Sequence, residues 1–187
     1  RTLITTQWLT GFRIGEVLTL TIGDVLRHGG IVPKIGIRPR HLKGHRGRTR
    51  WIPVLPELVR ALREHLDTLP DHYLGNPHNP LFPSRQCDPG GSVRPLGRYQ
   101  AHYIIKKIFS LARIEDDGRL GTHTLRKTFA RNVYIHGGRD IMLLKRALGH
   151  ADVAATQRYL EIEEDAVMAA IARCDFTRRP RSRSKAA

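Results

Sequence analysis

Tyr159 stands nine residues after His150, in the run Leu148-Gly149-His150-Ala151-Asp152-Val153-Ala154-Ala155-Thr156-Gln157-Arg158-Tyr159, and that run follows closely on His123-Thr124-Leu125-Arg126. A phenol near two histidines and an arginine has the parts for attack on a phosphodiester. The tyrosine oxygen becomes the covalent link, the imidazoles handle protons, and the guanidinium neutralises charge as it develops. Each residue alone is more often a surface arginine, a hydrogen-bonded core histidine or a packed tyrosine. Their combination in a basic chain points to DNA cleavage.

Lys and Arg total 32 against 17 Asp and Glu, a formal charge of +15 with a pI near 10.8. The segment 177–187 carries five of those bases and no acid, leaving 27 bases against 17 acids in the rest. The basicity is therefore spread through the chain and predicts a polyanionic partner without saying which one. Cys87 and Cys174 are too far apart in sequence to suggest a metal motif or a disulfide framework. No apolar run approaches the roughly 20 residues of a spanning helix, so the sequence predicts a soluble, cytoplasmic protein with no membrane partner. At 187 residues one domain with a real core is the default.

The elements that must position these residues follow from periodicity. Residues 2–8 read as a helix already under way, with Leu3, Ile4 and Gln7-Trp8 at helical spacing. A second helix over 13–20 puts Ile14, Val17 and Leu18 on a buried side and Arg13 with Glu16 on the opposite face. The stretches 31–38 and 50–54 read as strands of a hairpin with a long charged tip, and Lys43 rides on or beside that tip. Pro56 opens an amphipathic helix through Leu58, Val59, Leu62 and Leu66. The Pro- and Gly-rich stretch 70–95 reads as a long loop with at most a short strand. A helix over 99–113 buries Ile104, Ile108 and Phe109 or their neighbours. The next helix starts at His123 and Arg126 and buries Leu125, Phe129 and Val133. Asp140 then caps a helix that stops at Gly149, and Asp152 caps a short one that carries Tyr159 at its far end. The expected class is α+β, mostly helical with a small antiparallel sheet on one side.

In this order the chain resembles the tyrosine recombinase (phage integrase) family, from about residue 4 to residue 160. The boxes are Thr10-Gly11-Phe12-Arg13-Ile14-Gly15-Glu16, Lys43-Gly44, His123-Thr124-Leu125-Arg126, Leu148-Gly149-His150 and Thr156-Gln157-Arg158-Tyr159. The resemblance implies that Arg13 and Arg126 hold the non-bridging oxygens of the scissile phosphate, with planar forks that lysine cannot reproduce. It implies that Tyr159 attacks to give a 3′-phosphotyrosine and that Lys43 protonates the departing 5′-oxygen. His123 then assists proton transfer at the phenol, His150 donates to a phosphate oxygen, and Glu16 braces Arg13. Arg46, Arg48, Arg50, Lys106, Lys107 and Lys127 are candidates for the DNA backbone.

The implied activity is site-specific DNA recombination or integration, without ATP, metal or other cofactor; no acidic cluster suits Mg²⁺, and the histidines lack ligand spacing. Relaxation of supercoils, as by a type IB topoisomerase, and a silent DNA-binding module of the same fold are the rivals. The implied partner is double-stranded DNA, bound by a homotetramer on synapsed sites and by a monomer when free, associated with a nucleoid if the source is bacterial. A C-terminal helix through Val167, Met168, Ile171 and Ala172 is expected to pack either on a neighbouring protomer or on its own domain. The expected organisation is a catalytic domain over 1–176, truncated at its N-terminal edge and lacking the family's separate N-terminal DNA-binding domain. A basic, disordered tail over 177–187 follows.

Overall fold

The computed structural model describes residues 1–160 apart from 42–48, 89, 117, 119 and 158, and the side chain of Arg40. Lys43, Arg46 and Arg48, the C-terminal helix, Cys174 and the basic tail thus lie outside the described residues. Threonine, not the expected apolar stripe, shapes the first helix, α1 (Thr2–Thr10). Thr2, Leu3, Thr6, Gln7 and Thr10 are buried, while Trp8 is 40% exposed. The hydroxyls of Thr6 and Thr10 donate to carbonyls one turn back at 2.8 and 2.6 Å, and that of Thr2 to the Ala61 carbonyl at 2.9 Å. Short side chains whose polar atoms are satisfied let α1 lie close to its neighbours. Gly11, in the left-handed region at φ 61°, ends the helix.

The helix expected over 13–20 is one turn, α2 (Ile14–Val17), followed by a second single turn, α3 (Ile22–Val25). A tight hairpin, β1 (Leu26–Arg27) with β2 (Gly30–Ile31), turns through His28 and Gly29, both at positive φ. The expected hairpin forms as β3 (Lys34–Ile37) antiparallel to β4 (Arg50–Pro53), pairing Ile35 with Ile52 and Ile37 with Arg50. Period-2 alternation buries Arg50 and Ile52 and exposes Trp51 and Pro53.

Helix α4 (Pro56–Leu66) starts on its proline and buries Leu58, Ala61, Leu62 and Leu66. Each fully buried leucine contributes about 1.5–3 kcal/mol relative to an exposed one. The stretch read as loop holds a helical turn, α5 (Asp71–Leu74), and a bulged antiparallel pair, β5 (Pro83–Cys87) with β6 (Val93–Pro95). Its prolines, Pro83 opposite Pro95, sit at strand ends where no ladder donor is needed, which is why a proline-rich sequence still forms a ribbon. Together these elements enclose the larger core, built around Phe12, Val17, Leu20, Ile22, Val25, Ile35, Leu58, Leu62 and Leu81.

Helix α6 (Arg98–Leu111) buries Ala101 and Ile105, so the inward face includes the neighbours of the expected Ile104, Ile108 and Phe109, which are half-buried. Three helices complete the described chain: α7 (Thr122–His136), α8 (Ile141–Leu148) and α9 (Ala154–Gln157). Asp140 caps α8 as expected, accepting from the Met142 and Leu143 amides at 2.7 and 3.1 Å. A small cluster of Ala130, Leu144 and Leu148, with Phe129, Val133, Tyr134, Tyr159 and Leu160 against it, joins α7, α8 and the end of the described chain. The class is α+β and mostly helical, as expected, with three separate two-stranded sheets among the described residues. None of the described helices is long and apolar enough to cross a membrane.

Candidate active site

The turn between α1 and α2 positions the first arginine. Gly11 reverses the chain, Phe12 is fully buried, and Glu16 in the first turn of α2 reaches back to accept the Arg13 backbone N–H at 2.7 Å and its Nη1 at 3.0 Å. Glu16 is 3% exposed rather than on a solvent face, because Arg13, Arg50 and Arg126 close over it. From β4, Arg50 reaches the same carboxylate, Nη2 to Oε2 at 2.7 Å. Arg126 Nη1 lies 4.0 Å from it. Three guanidiniums therefore surround one buried carboxylate.

Arg126 enters from the first turns of α7 and is fully buried. Its Nη1 donates to the Gly11 carbonyl, and its Nη2 to the Leu148 carbonyl at 2.8 Å and towards His150 Nε2 at 3.0 Å. Gly149, at φ 65°, ends α8 and turns His150 towards this fork. The ring continues to Thr156, whose Oγ1 lies 2.9 Å from His150 Nδ1. Asp152 accepts the Ala155 amide at 2.6 Å and starts α9, after which Tyr159 lies with its ring centroid 5.4 Å from that of His150. The Arg126 Cζ is 5.9 Å from the Tyr159 ring centroid.

Hydrogen-bond chemistry sets the His150 tautomer. Arginine only donates, so Nε2 must accept, and the proton sits on Nδ1, which donates to Thr156. Burial, followed by the cations Arg126, Arg13 and Arg50, pushes the His150 pKa down to about 4, with Asp152 opposing. The imidazole is neutral at pH 7 and presents an acceptor at Nε2, where the sequence reading expects a donor to phosphate. His123, although exposed, is also held below its ordinary value, first by partial desolvation against the domain and then by Arg126, Arg13 and Lys127, so it is available as a base. Arg126 is pulled to about 10 by burial and by Arg13 and Arg50, against Tyr159 and Glu16, and stays cationic. Burial alone would raise the Glu16 carboxyl, but Arg50, the Arg13 amide, Arg126 and the Arg13 charge together hold it below the usual range.

Of the residues named from sequence, the structure brings Arg13, Glu16, Arg126, His150 and Tyr159 together, with His123 in the same electrostatic field. Lys107 and Lys127 are exposed, and Lys106 pairs with Asp116 at 2.9 Å. Arg50 requires correction as a surface contact for the DNA backbone. Its side chain is 5% exposed, lies on the inward face of β4, and is committed to Glu16 and the Leu148 carbonyl. The register of Arg50 with Ile52, two residues apart in an alternating strand, is the signal that could have found this. Sequence reading also passed over Thr156, although it lies three residues before Tyr159 and is fully buried.

In fold, the chain has the arrangement of a tyrosine recombinase catalytic domain. The sequence model of the phage integrase family matches residues 1–165, and the chain belongs to that family. Tyrosine recombinase XerC of Pelobacter propionicus is 30% identical over 168 residues, covering 90% of this chain and 49% of the relative. Probable integrase/recombinase YoeC of Bacillus subtilis is 39% identical over 164 residues, covering 86% of this chain and 76% of the relative. The XerH site-specific recombinase, solved bound to difH substrate in a pre-cleavage complex, superposes with a TM-score of 0.64 at 26% identity, over 92% of this chain and 46% of that one. The chain spans about half the length of the XerC relative it matches.

Proposed function

We propose that this chain is the catalytic domain of a site-specific DNA recombinase that cuts and rejoins strands through a 3′-phosphotyrosyl link at Tyr159. The observation that carries this reading is the placement of Arg126 between its two partners, 3.0 Å from His150 Nε2 and 5.9 Å from the Tyr159 ring. Tyr159 Oη attacks the phosphorus, the bond from phosphorus to the 5′-oxygen breaks, and that oxygen leaves with a proton. Attack by a 5′-hydroxyl on the phosphotyrosine reverses the step, so the phosphodiester energy is conserved.

Arg13, whose side chain is half-buried, and Arg126, which exchanges its Nη2 contact with His150 for phosphate, take the non-bridging oxygens. When a phosphate oxygen takes the Arg126 N–H, His150 Nε2 is released with a free lone pair. His123, depressed in the same field, suits it to accept the phenol proton. Lys43 is proposed, from the family resemblance alone, as the acid for the 5′-oxygen. The relatives above are named as recombinases and an integrase, so relaxation and a silent module are not carried forward.

The same proposal extends to double-stranded DNA as partner, a homotetramer on synapsed sites and a cytoplasmic, nucleoid-associated location. Exposure of the chain to a pool of random-sequence duplexes nicked next to candidate cleavage positions tests the chemistry. An adduct that survives SDS should form with the wild-type chain and be absent with Tyr159→Phe. An adduct that persists in Tyr159→Phe, or none in wild type, sinks the reading.

A further inference from the structure

A buried cation is expensive, and replacing a buried ion pair by apolar side chains is often neutral or stabilising. Arg50 nonetheless points into the domain from a strand whose next inward residue is Ile52. Its guanidinium makes three different contacts at once. Nη2 donates to Glu16 Oε2 at 2.7 Å, Nη1 donates to the Leu148 carbonyl, and the Cζ lies 4.7 Å from the Phe12 ring centroid. The backbone opposite is shaped to admit it: a Cβ on Gly149 would stand 3.0 Å from Arg50 Cδ and 3.1 Å from its Nη1.

Both of its polar partners also hold the candidate phosphate clamp. Glu16 holds Arg13, and the Leu148 carbonyl accepts from Arg126 just before the turn to His150. We infer that Arg50 is a positioning residue for the cleavage reaction, its guanidinium locking the β3–β4 hairpin onto Glu16 and the Leu148 carbonyl so that Arg13, Arg126 and His150 stay in register. The inference rests on the recombinase reading. With 5% of its side chain exposed, Arg50 acts through these neighbours and not by touching DNA. A lysine has one nitrogen and no planar face, so it keeps the charge but cannot hold carboxylate, carbonyl and ring together.

The test compares the full wild-type chain with Arg50→Lys and Arg50→Met by three readouts: DNA affinity, single-turnover adduct formation at saturating nicked duplex, and the His150 titration followed by imidazole nitrogen NMR without DNA. Arg50→Lys should bind DNA as wild type does but form adduct about 100-fold more slowly, the scale of a small misplacement of reacting groups. Arg50→Met should raise the His150 midpoint above about 4, because one of the cations that depress it is gone.

Adduct formation by Arg50→Lys within about threefold of wild type, or a loss confined to DNA affinity with the saturated rate intact, overturns the assignment. So does an unmoved His150 midpoint in Arg50→Met. If melting shows that the Arg50 variants do not fold, Phe12→Leu decides the matter. It keeps an apolar side chain in the core while taking the ring from under the guanidinium, and it should slow adduct formation without weakening DNA binding; an unchanged rate overturns the inference. A wild-type chain that forms no adduct sinks the recombinase reading and this inference with it, whereas normal wild-type adduct formation with an unimpaired Arg50→Lys sinks the inference alone.

Discussion

The elements from α1 to β6 and those from α7 to α9 hold their share of the site in opposite ways. The first set surrounds a large apolar core in which Phe12, Val17, Leu20, Leu58, Leu62 and Leu81 are almost or wholly inaccessible. It contributes Arg13, Glu16 and Arg50, an electrostatic brace in which Glu16 and Arg50 are buried and Arg13 is half-buried. Among the described residues, the second set closes on the smaller cluster of Ala130, Leu144 and Leu148, leaves Ile135, Met142 and Leu143 more than 40% exposed, and contributes Arg126, His150 and Tyr159. Few buried apolar contacts mean a low free energy of local opening. Among the described residues, the Glu16 brace is thus fixed where the backbone resists displacement, and Tyr159, the proposed nucleophile, sits where small rearrangements are inexpensive.

Arg126 spans the two sets, donating to Gly11 on one side and to Leu148 on the other, so its loss should have the largest effect on rate. Arg126→Ala should lower single-turnover adduct formation by about 10²–10³-fold, the scale for removing one preorganised donor. A loss below about tenfold would break the claim that one fork joins brace and nucleophile.

Glu16→Gln tests the brace by leaving Arg50 buried without its counter-charge. Unfolding by urea should show about 3–5 kcal/mol less stability, and an unchanged midpoint would mean that the brace is not a stabilising centre of the first set.

Acid should act on both sets with a predictable sign. The folded His150 titrates at about 4 against an ordinary 6.5, so between those values the unfolded chain binds more protons and stability rises with pH. The depressed His123 acts in the same direction. Glu16, held below its ordinary 4.5, contributes stability above that value, which is lost as pH falls through its lower folded value. Urea midpoints measured from pH 7 down to 4 should fall steadily, and His150→Gln should flatten the slope between 6.5 and 4. A wild-type midpoint that is level over that range would contradict the burial of His150 among cations.

The smallest effect belongs to the start of α8. Asp140→Ala removes the acceptor for two backbone amides and should cost about 1 kcal/mol. Hydrogen exchange should place the added opening in the second set and leave the first protected; a uniform loss of protection would show that the two sets unfold as one.

The sequence made the second set easier to read than the first. His123 and Arg126 open the long helix α7, while His150 and Tyr159 follow α8 and α9, whose caps, Asp140 and Asp152, and whose stop, Gly149, announce themselves locally. Arg13 and Glu16 were legible as a pair, but not as a buried one, because the depth of a single helical turn depends on what packs over it. The inward face of Arg50 is legible from its alternation with Ile52, but its role required a contact 98 residues away at Leu148, information that no local window holds. The ribbon from Pro83 to Pro95 was hidden by its prolines, which signal a break unless their place at strand ends is known.

One oxygen, the carbonyl of Leu148, receives donors from both Arg50 and Arg126. Every amino acid would supply that oxygen, so no codon change at position 148 can delete it. A scan of side-chain substitutions would report position 148 as a packing site and miss its part in the chemistry. The genetic handle on it lies one residue on, at Gly149, where the left-handed turn at φ 65° sets how the chain presents the oxygen.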